Sequence, residues 1–115
     1  MATRSIISIK NEDETLDAVY CHFDGYPDGE RSVGLTLRMD YTSEEKIRGL
    51  ISFGDMSCLH PIVEQCEFYI KRGEKLHNYK KMPLDVLRKR AKAIGCEYLY
   101  MFYKGEWNCE ELYGD

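Results

Sequence analysis

Cys21, His22 and Asp24 stand within four positions of one another in the run "AVYCHFDGYPDGE", between Tyr20 and Tyr26 and ahead of a turn rich in glycine and proline. A thiol beside an imidazole is the pairing of nucleophilic catalysis. An imidazole with a carboxylate is the pairing of general acid–base work, because the carboxylate orients the ring and raises its pKa. Local geometry separates these chemistries. Residues 16–23, "LDAVYCHF", are predicted to form a strand, and strand side chains alternate between faces. Val19, Cys21 and Phe23 then point into a core, with Cys21 a small buried hydrophobe, while Tyr20, His22 and Asp24 point the other way. A Cys21–His22 nucleophilic dyad is disfavoured by that alternation. His22 with Asp24 is the pair most able to move a proton.

The outer set has company. A strand at 66–71, "CEFYIK", splits into Cys66, Phe68 and Ile70 against Glu67, Tyr69 and Lys71, and residues 97–103 offer more tyrosines. Tyr20, His22, Asp24, Tyr26, Tyr69, Lys71 and Arg72 are therefore the candidate ligand- or partner-binding residues. The aromatic and polar side chains would stack a planar group and read its edges, and Lys71 and Arg72 would hold an anion, Arg72 in bidentate fashion. The structural alternative stands beside this one. Tyrosine is a good strand residue, His22 can bond Asp24 or a loop carbonyl, and Asp24 before Gly25 is ordinary turn chemistry.

Other patterns of catalysis are missing. There is no Gly-Lys-Ser/Thr ending for a phosphate loop, no nucleophile elbow around any serine, no HExxH and no paired-carboxylate spacing. Cys58, His60 and Cys66 match no structural zinc spacing. We expect a non-enzymatic protein with no catalytic residue, no cofactor and no metal.

The elements that must position these residues follow from periodicity and punctuation. Residues 4–10 read as a strand joined to 16–23 through the polar turn 11–15. Residues 24–34 are a loop. A helix follows Thr42 as N-cap with Glu45 three residues on, buries Ile47, Leu50 and Ile51, and ends at Gly54. Residues 55–65 are irregular, and after the strand at 66–71 comes the polar loop "RGEKLHNYKKM". A second helix begins at Pro83, buries Leu84, Leu87, Ala91 and Ile94, and is capped by Gly95. Residues 96–112 form a hairpin turning at Lys104-Gly105. The order ββαβαββ implies one α+β domain over residues 1–115, with a mostly antiparallel sheet and both helices packed on one face.

Bulk composition narrows the class. The 115 residues are 43% hydrophobic, 12% aromatic and 31% charged, enough for one core and against disorder. No apolar run is long enough to span a bilayer, and "MATRSIISIK" lacks a signal peptide, so a soluble cytosolic protein is expected. Five cysteines, an odd number without a CxxC pair, point to free thiols in a reducing compartment. The net charge of −4 is uneven. Residues 71–92 hold nine Lys/Arg against two acids, or +7, and the remainder holds seven against eighteen, or −11. The basic segment is either a solvated helix face with a charged loop or an anion-facing patch. The acidic remainder opposes duplex DNA binding and weighs against single-stranded nucleic acid, for which tyrosine stacking would be the other requirement. Exposed tyrosines and a free sheet edge are compatible with a homodimer.

Four local motifs carry a resemblance. They are "TRSIISI" leading to "YCHFDGYPDG", then "LISFGDMSCL", "CEFYIKRGE" and "EYLYMFYKGEW". Together, over residues 3–107, the chain resembles a widespread family of small uncharacterised proteins of bacteriophages, prophages and plasmids with a Y-C-H-(W/F)-D-G-Y motif. The segment "DGERSVG" is longer than the family's usual Y-P-x-G-V-G, Lys71 stands where another charged residue is common, and the loop 55–65 is short. The resemblance implies a context, an accessory gene of a mobile element acting in the cytoplasm of a bacterial host. In that context the expected partner is a host or anti-phage defence protein that the chain inhibits by binding. The alternative is a small anionic ligand, such as a nucleotide or cyclic nucleotide immune signal, that it sequesters. No membrane partner is implied.

Overall fold

A computed structural model describes residues 2–73 and 79–112 of the chain. Strand β1 (Arg4–Lys10) pairs antiparallel with β2 (Leu16–Cys21) through the turn in which the Asn11 N–H donates to the Thr15 carbonyl at 2.8 Å. Helices α1 (Val33–Asp40) and α2 (Glu44–Ser52) follow, then the short strands β3 (Met56–Cys58) and β4 (Glu67–Phe68). After a 3₁₀ turn over Tyr69–Arg72 come β5 (Tyr79–Met82), α3 (Leu84–Ala93), β6 (Cys96–Tyr103) and β7 (Glu106–Glu111). The seven strands make one sheet in the order β4-β3-β2-β1-β6-β7, with β5 also lying against β2. The pairs β1–β6 and β2–β3 are parallel and the other four are antiparallel. The class is the expected one, α+β with a mostly antiparallel sheet.

The helices do not share a face. Ile7, Ile9, Val19, Cys21, Tyr100 and Phe102 form one core with Val33 and Leu37 of α1 and Ile47 and Leu50 of α2. Ile6, Leu16, Ala18, Tyr20 and Leu99 form a second core with Leu87 and Ala91 of α3. The expectation of both helices on one side fails because the central strands are apolar on both faces. "SIISI" and "YLYMFY" are near-continuous apolar runs, which is the signature of a strand covered twice.

Local signals account for most boundaries. Ser32 and Ser43 are the N-caps of α1 and α2, each accepting from the backbone N–H three residues on. The cap of α2 is thus Ser43 and not Thr42. Gly95 ends α3 at φ +84°, the left-handed position just past the last turn. Arg88 of α3 holds Glu110 of β7 in a two-bond pair at 2.5 and 2.8 Å. Four elements differ from expectation. Helix α1 begins inside the expected loop 24–34, β3 lies in the stretch 55–65 expected to be irregular, β5 lies in the expected polar loop, and the strand expected at 66–71 stops at Phe68 before the 3₁₀ turn.

The candidate functional site

The site forms where β2 leaves the sheet. Beyond Cys21 the chain continues along β3, the His22 N–H donating to the Met56 carbonyl at 3.1 Å and the Phe23 N–H to the Ser57 carbonyl at 2.9 Å. In a regular parallel pair alternate residues make these bonds, so two consecutive donations break the period of two. Phe23 therefore turns outward. It is 43% exposed, not a core residue, and its ring meets His22 edge-on at 4.5 Å. Cys21 is fully buried as expected, and burial pushes its thiol pKa far up.

Tyr20 is also buried, beneath α3, rather than displayed on an open face. Its backbone N–H donates to Asp55 Oδ1 at 2.9 Å, and the Asp55 carbonyl accepts the Tyr69 N–H at 3.0 Å. Asp55 is buried at the start of β3 and fixes the backbone of both tyrosines. The Tyr20 hydroxyl lies 2.6 Å from His22 Nδ1. Burial, partly opposed by nearby Arg4, raises the Tyr20 pKa to about 12, so the phenol keeps its proton. Where that hydroxyl donates to Nδ1, the ring carries its proton on Nε2, a donor toward whatever meets the half-buried ring.

The rest of the loop is pinned from several sides. Asp24 takes φ +60° and Arg31 φ +63°, a region that aspartate tolerates and arginine adopts at a cost. The Gly25 N–H donates to the Thr3 carbonyl at 2.9 Å, and the buried Tyr100 hydroxyl donates to the Gly25 carbonyl at 2.6 Å. A Cβ on Gly25 would stand 2.7 Å from the Thr3 oxygen, so only glycine allows this approach. The Val33 N–H reaches the Asp24 carbonyl at 2.7 Å, which ties α1 to the loop. The Tyr26 hydroxyl donates to Asp24 Oδ1 at 2.9 Å, and this bond raises the Tyr26 pKa.

The predicted residues thus separate into two groups. Tyr20, His22 and Tyr69 come together on the α3 side, Tyr69 packing against the same core as Tyr20. Asp24 and Tyr26 pair with each other on the loop, and among the described residues no hydrogen bond joins Asp24 to His22. The side chains of Lys71 and Arg72 lie outside the described residues. The reading of the sequence missed Asp55 and the outward turn of Phe23. The signal for Asp55 was "GD" directly after a helix C-terminus, and its partners lie 35 residues before it and 14 after. Of the described basic residues of α3 and β5, Lys80, Lys81, Lys89, Arg90 and Lys92 are exposed, and Arg88 is half-buried against Glu110. Among the described residues no helix is long and apolar enough to cross a membrane.

No protein-family model matches the chain, and comparisons with curated proteins and with solved structures find no match.

Proposed function

We propose that this chain is a non-enzymatic accessory protein of a bacteriophage or other mobile element, and that it inhibits a host or anti-phage defence protein by docking on it through the loop from His22 to Arg31. One observation carries the docking surface. Exposed aromatic side chains, Phe23 at 43% and Tyr26 at 36%, sit on a loop held by main-chain and side-chain bonds from β1, β3, β6 and α1. A rigid loop loses little freedom on binding, and aromatic anchors on such loops dominate interface energies. Strain at Arg31 is of the kind retained where a loop has work to do. The mobile-element context rests on the four motifs. Action in the bacterial cytoplasm belongs to the same proposal.

The test uses the whole protein. Wild-type protein should retain a specific partner from lysate of a bacterium carrying defence systems, and restore phage growth in it. Phe23→Ala with Tyr26→Ala should weaken the partner by about 30-fold or more, the cost of a hot-spot truncation. Melting temperature should stay near wild type, since both rings are exposed. Retention independent of these rings would overturn the reading. So would substrate turnover abolished by one point substitution.

A second reading is favoured by the convergence of Tyr20, His22 and Tyr69, with Lys71 and Arg72 next in the chain. There a small anionic ligand, such as a nucleotide or cyclic nucleotide signal, would be sequestered. A panel of nucleotides, cyclic dinucleotides and NAD-derived compounds separates the two. A ligand at about 100 times its Kd adds roughly 2.7 kcal/mol of stability, and a protein-docking loop shows no such shift.

A further inference from the structure

At the opposite end of the sheet from this loop lies a cleft of about 490 Å³, within the range of small-molecule sites. Its floor is Ile9 of β1 and Phe102 of β6, both nearly buried. Its rim carries Lys10, Glu12, Thr42 and the β6–β7 turn with Tyr103, Lys104 and Gly105. Two ammonium groups converge there on one ring. Lys10 Nζ lies 4.9 Å and Lys104 Nζ 5.2 Å from the centroid of Tyr103, which is itself 39% exposed.

The two charges are poorly answered by carboxylates. Lys10 has one carboxylate, Glu14, at 3.8 Å, and Lys104 makes no ion pair among the described residues. Arg48 lines the same cleft with three of its five N–H donors committed, Nε on Glu44 at 2.8 Å and its two terminal nitrogens on Asp17 and Asn11. The two lysines are the least committed cations of the cleft, with Glu12 as an acidic neighbour on its rim.

The turn itself breaks a local rule. Tyr103 pairs with Glu106 across a two-residue loop, and both loop residues have positive φ, Lys104 at +49° and Gly105 at +83°. That is the backbone of a type I′ turn, whose first central position prefers Asn, Asp or Gly. A lysine there is strained, and its ammonium lies over Tyr103. Gly105 leaves open space, with nothing within 4 Å of where a Cβ would stand.

We propose that this cleft is a second binding site, for a small molecule of about mononucleotide size that places an oxyanion, phosphate or carboxylate, between Lys10 and Lys104. Glu12 offers an acceptor to a donor at the ligand's other end. The site is independent of the docking loop.

The test is titration of the full chain, followed by amide NMR, with three probes: AMP, inorganic pyrophosphate and citrate. AMP or pyrophosphate shifting the amides of Lys10, Thr42, Tyr103 and Lys104 would assign a phosphate, and citrate alone a carboxylate. The deciding variant is Lys104→Asn, which suits the left-handed backbone and removes the charge. It should melt at or above the wild-type temperature while affinity falls about tenfold, and Lys10→Gln should cost a similar factor. Three outcomes would overturn the proposal: no probe perturbing these amides at millimolar concentration, Lys104→Asn leaving affinity unchanged, or the shifts falling instead on Tyr20, His22 and Tyr69.

Discussion

Two glycines in neighbouring helices should respond in opposite ways to the same added methyl group. Gly49 lies inside α2, and a Cβ built there meets nothing within 4 Å. Replacing it with alanine removes backbone freedom from the unfolded chain and should stabilise by about 1 kcal/mol. Gly34 lies in the first turn of α1, and a Cβ there would stand 2.3 Å from the Pro27 oxygen, 2.5 Å from its Cα and 2.7 Å from its carbonyl carbon. All three are backbone atoms, so no side-chain rotation relieves them. Overpacking of this kind costs about 1–3 kcal/mol, and these distances place it at the upper end. Pushing Pro27 away also strains the bond from the Gly34 N–H to the Tyr26 carbonyl at 3.2 Å, a further loss of about 1 kcal/mol. Helix propensity returns about 1 kcal/mol, so Gly34→Ala should destabilise by roughly 2–3 kcal/mol net. Urea unfolding at constant m should show the midpoint rise for Gly49→Ala and fall for Gly34→Ala. If the midpoint of Gly34→Ala does not fall, the tight seat of Pro27 on α1, and with it the rigidity argued for the docking loop, is wrong.

Tyr100→Phe removes the buried donor to the Gly25 carbonyl and should cost about 1–3 kcal/mol in the same assay, while an unchanged midpoint would mean that water replaces it. Tyr20→Phe should release the imidazole tautomer of His22, seen in long-range proton–nitrogen spectra as a change from Nε2–H alone to a mixture. A wild-type spectrum already mixed would refute the Tyr20 assignment. Stability should fall in alkali. Burial raises Tyr20 and Tyr79 from 10.0 to about 12 and Cys96 from 9.0 to about 12. The folded state thus keeps protons that the unfolded chain releases first, so their stabilising effect is complete below about pH 9 and is lost as pH rises from there to about 12. A melting temperature flat to pH 11 would contradict that.

What was legible in the sequence was legible for local reasons. The two hairpins announce themselves through polar turns between apolar runs, and α3 through Pro83, a regular stripe from Leu84 to Ile94, and Gly95. Helix α1 hides because "VGLTLRMDY" mixes glycine, threonine and an exposed Leu35 and Met39 with its buried residues, which blurs the stripe. Strand β5 hides because "YKKM" is polar and becomes a strand only against the edge of β2, more than 60 residues away, where the Lys81 N–H finds Asp17. The candidate site was half legible. The residue types in "YCHFDGY" singled it out, but the faces could not be read, because the chain abandons strict alternation when His22 and Phe23 both bond β3. Asp55 became visible only once the folded chain brought it under Tyr20 and Tyr69.

The place of β1 in the middle of the sheet sets the order in which the molecule can be made. Its partners are β2, reached within a few residues, and β6, where Ser8 meets the Tyr100 carbonyl across 92 positions of chain. During synthesis the first hairpin emerges with apolar side chains on both faces and one edge of β1 unpaired, and neither core can close until β6 has left the ribosome. Such long-range closure makes folding slow and leaves an aggregation-prone intermediate for as long as translation lasts. Rapid expression would therefore tax this chain more than its small size suggests, and the unfinished chain would be a ready substrate for a chaperone.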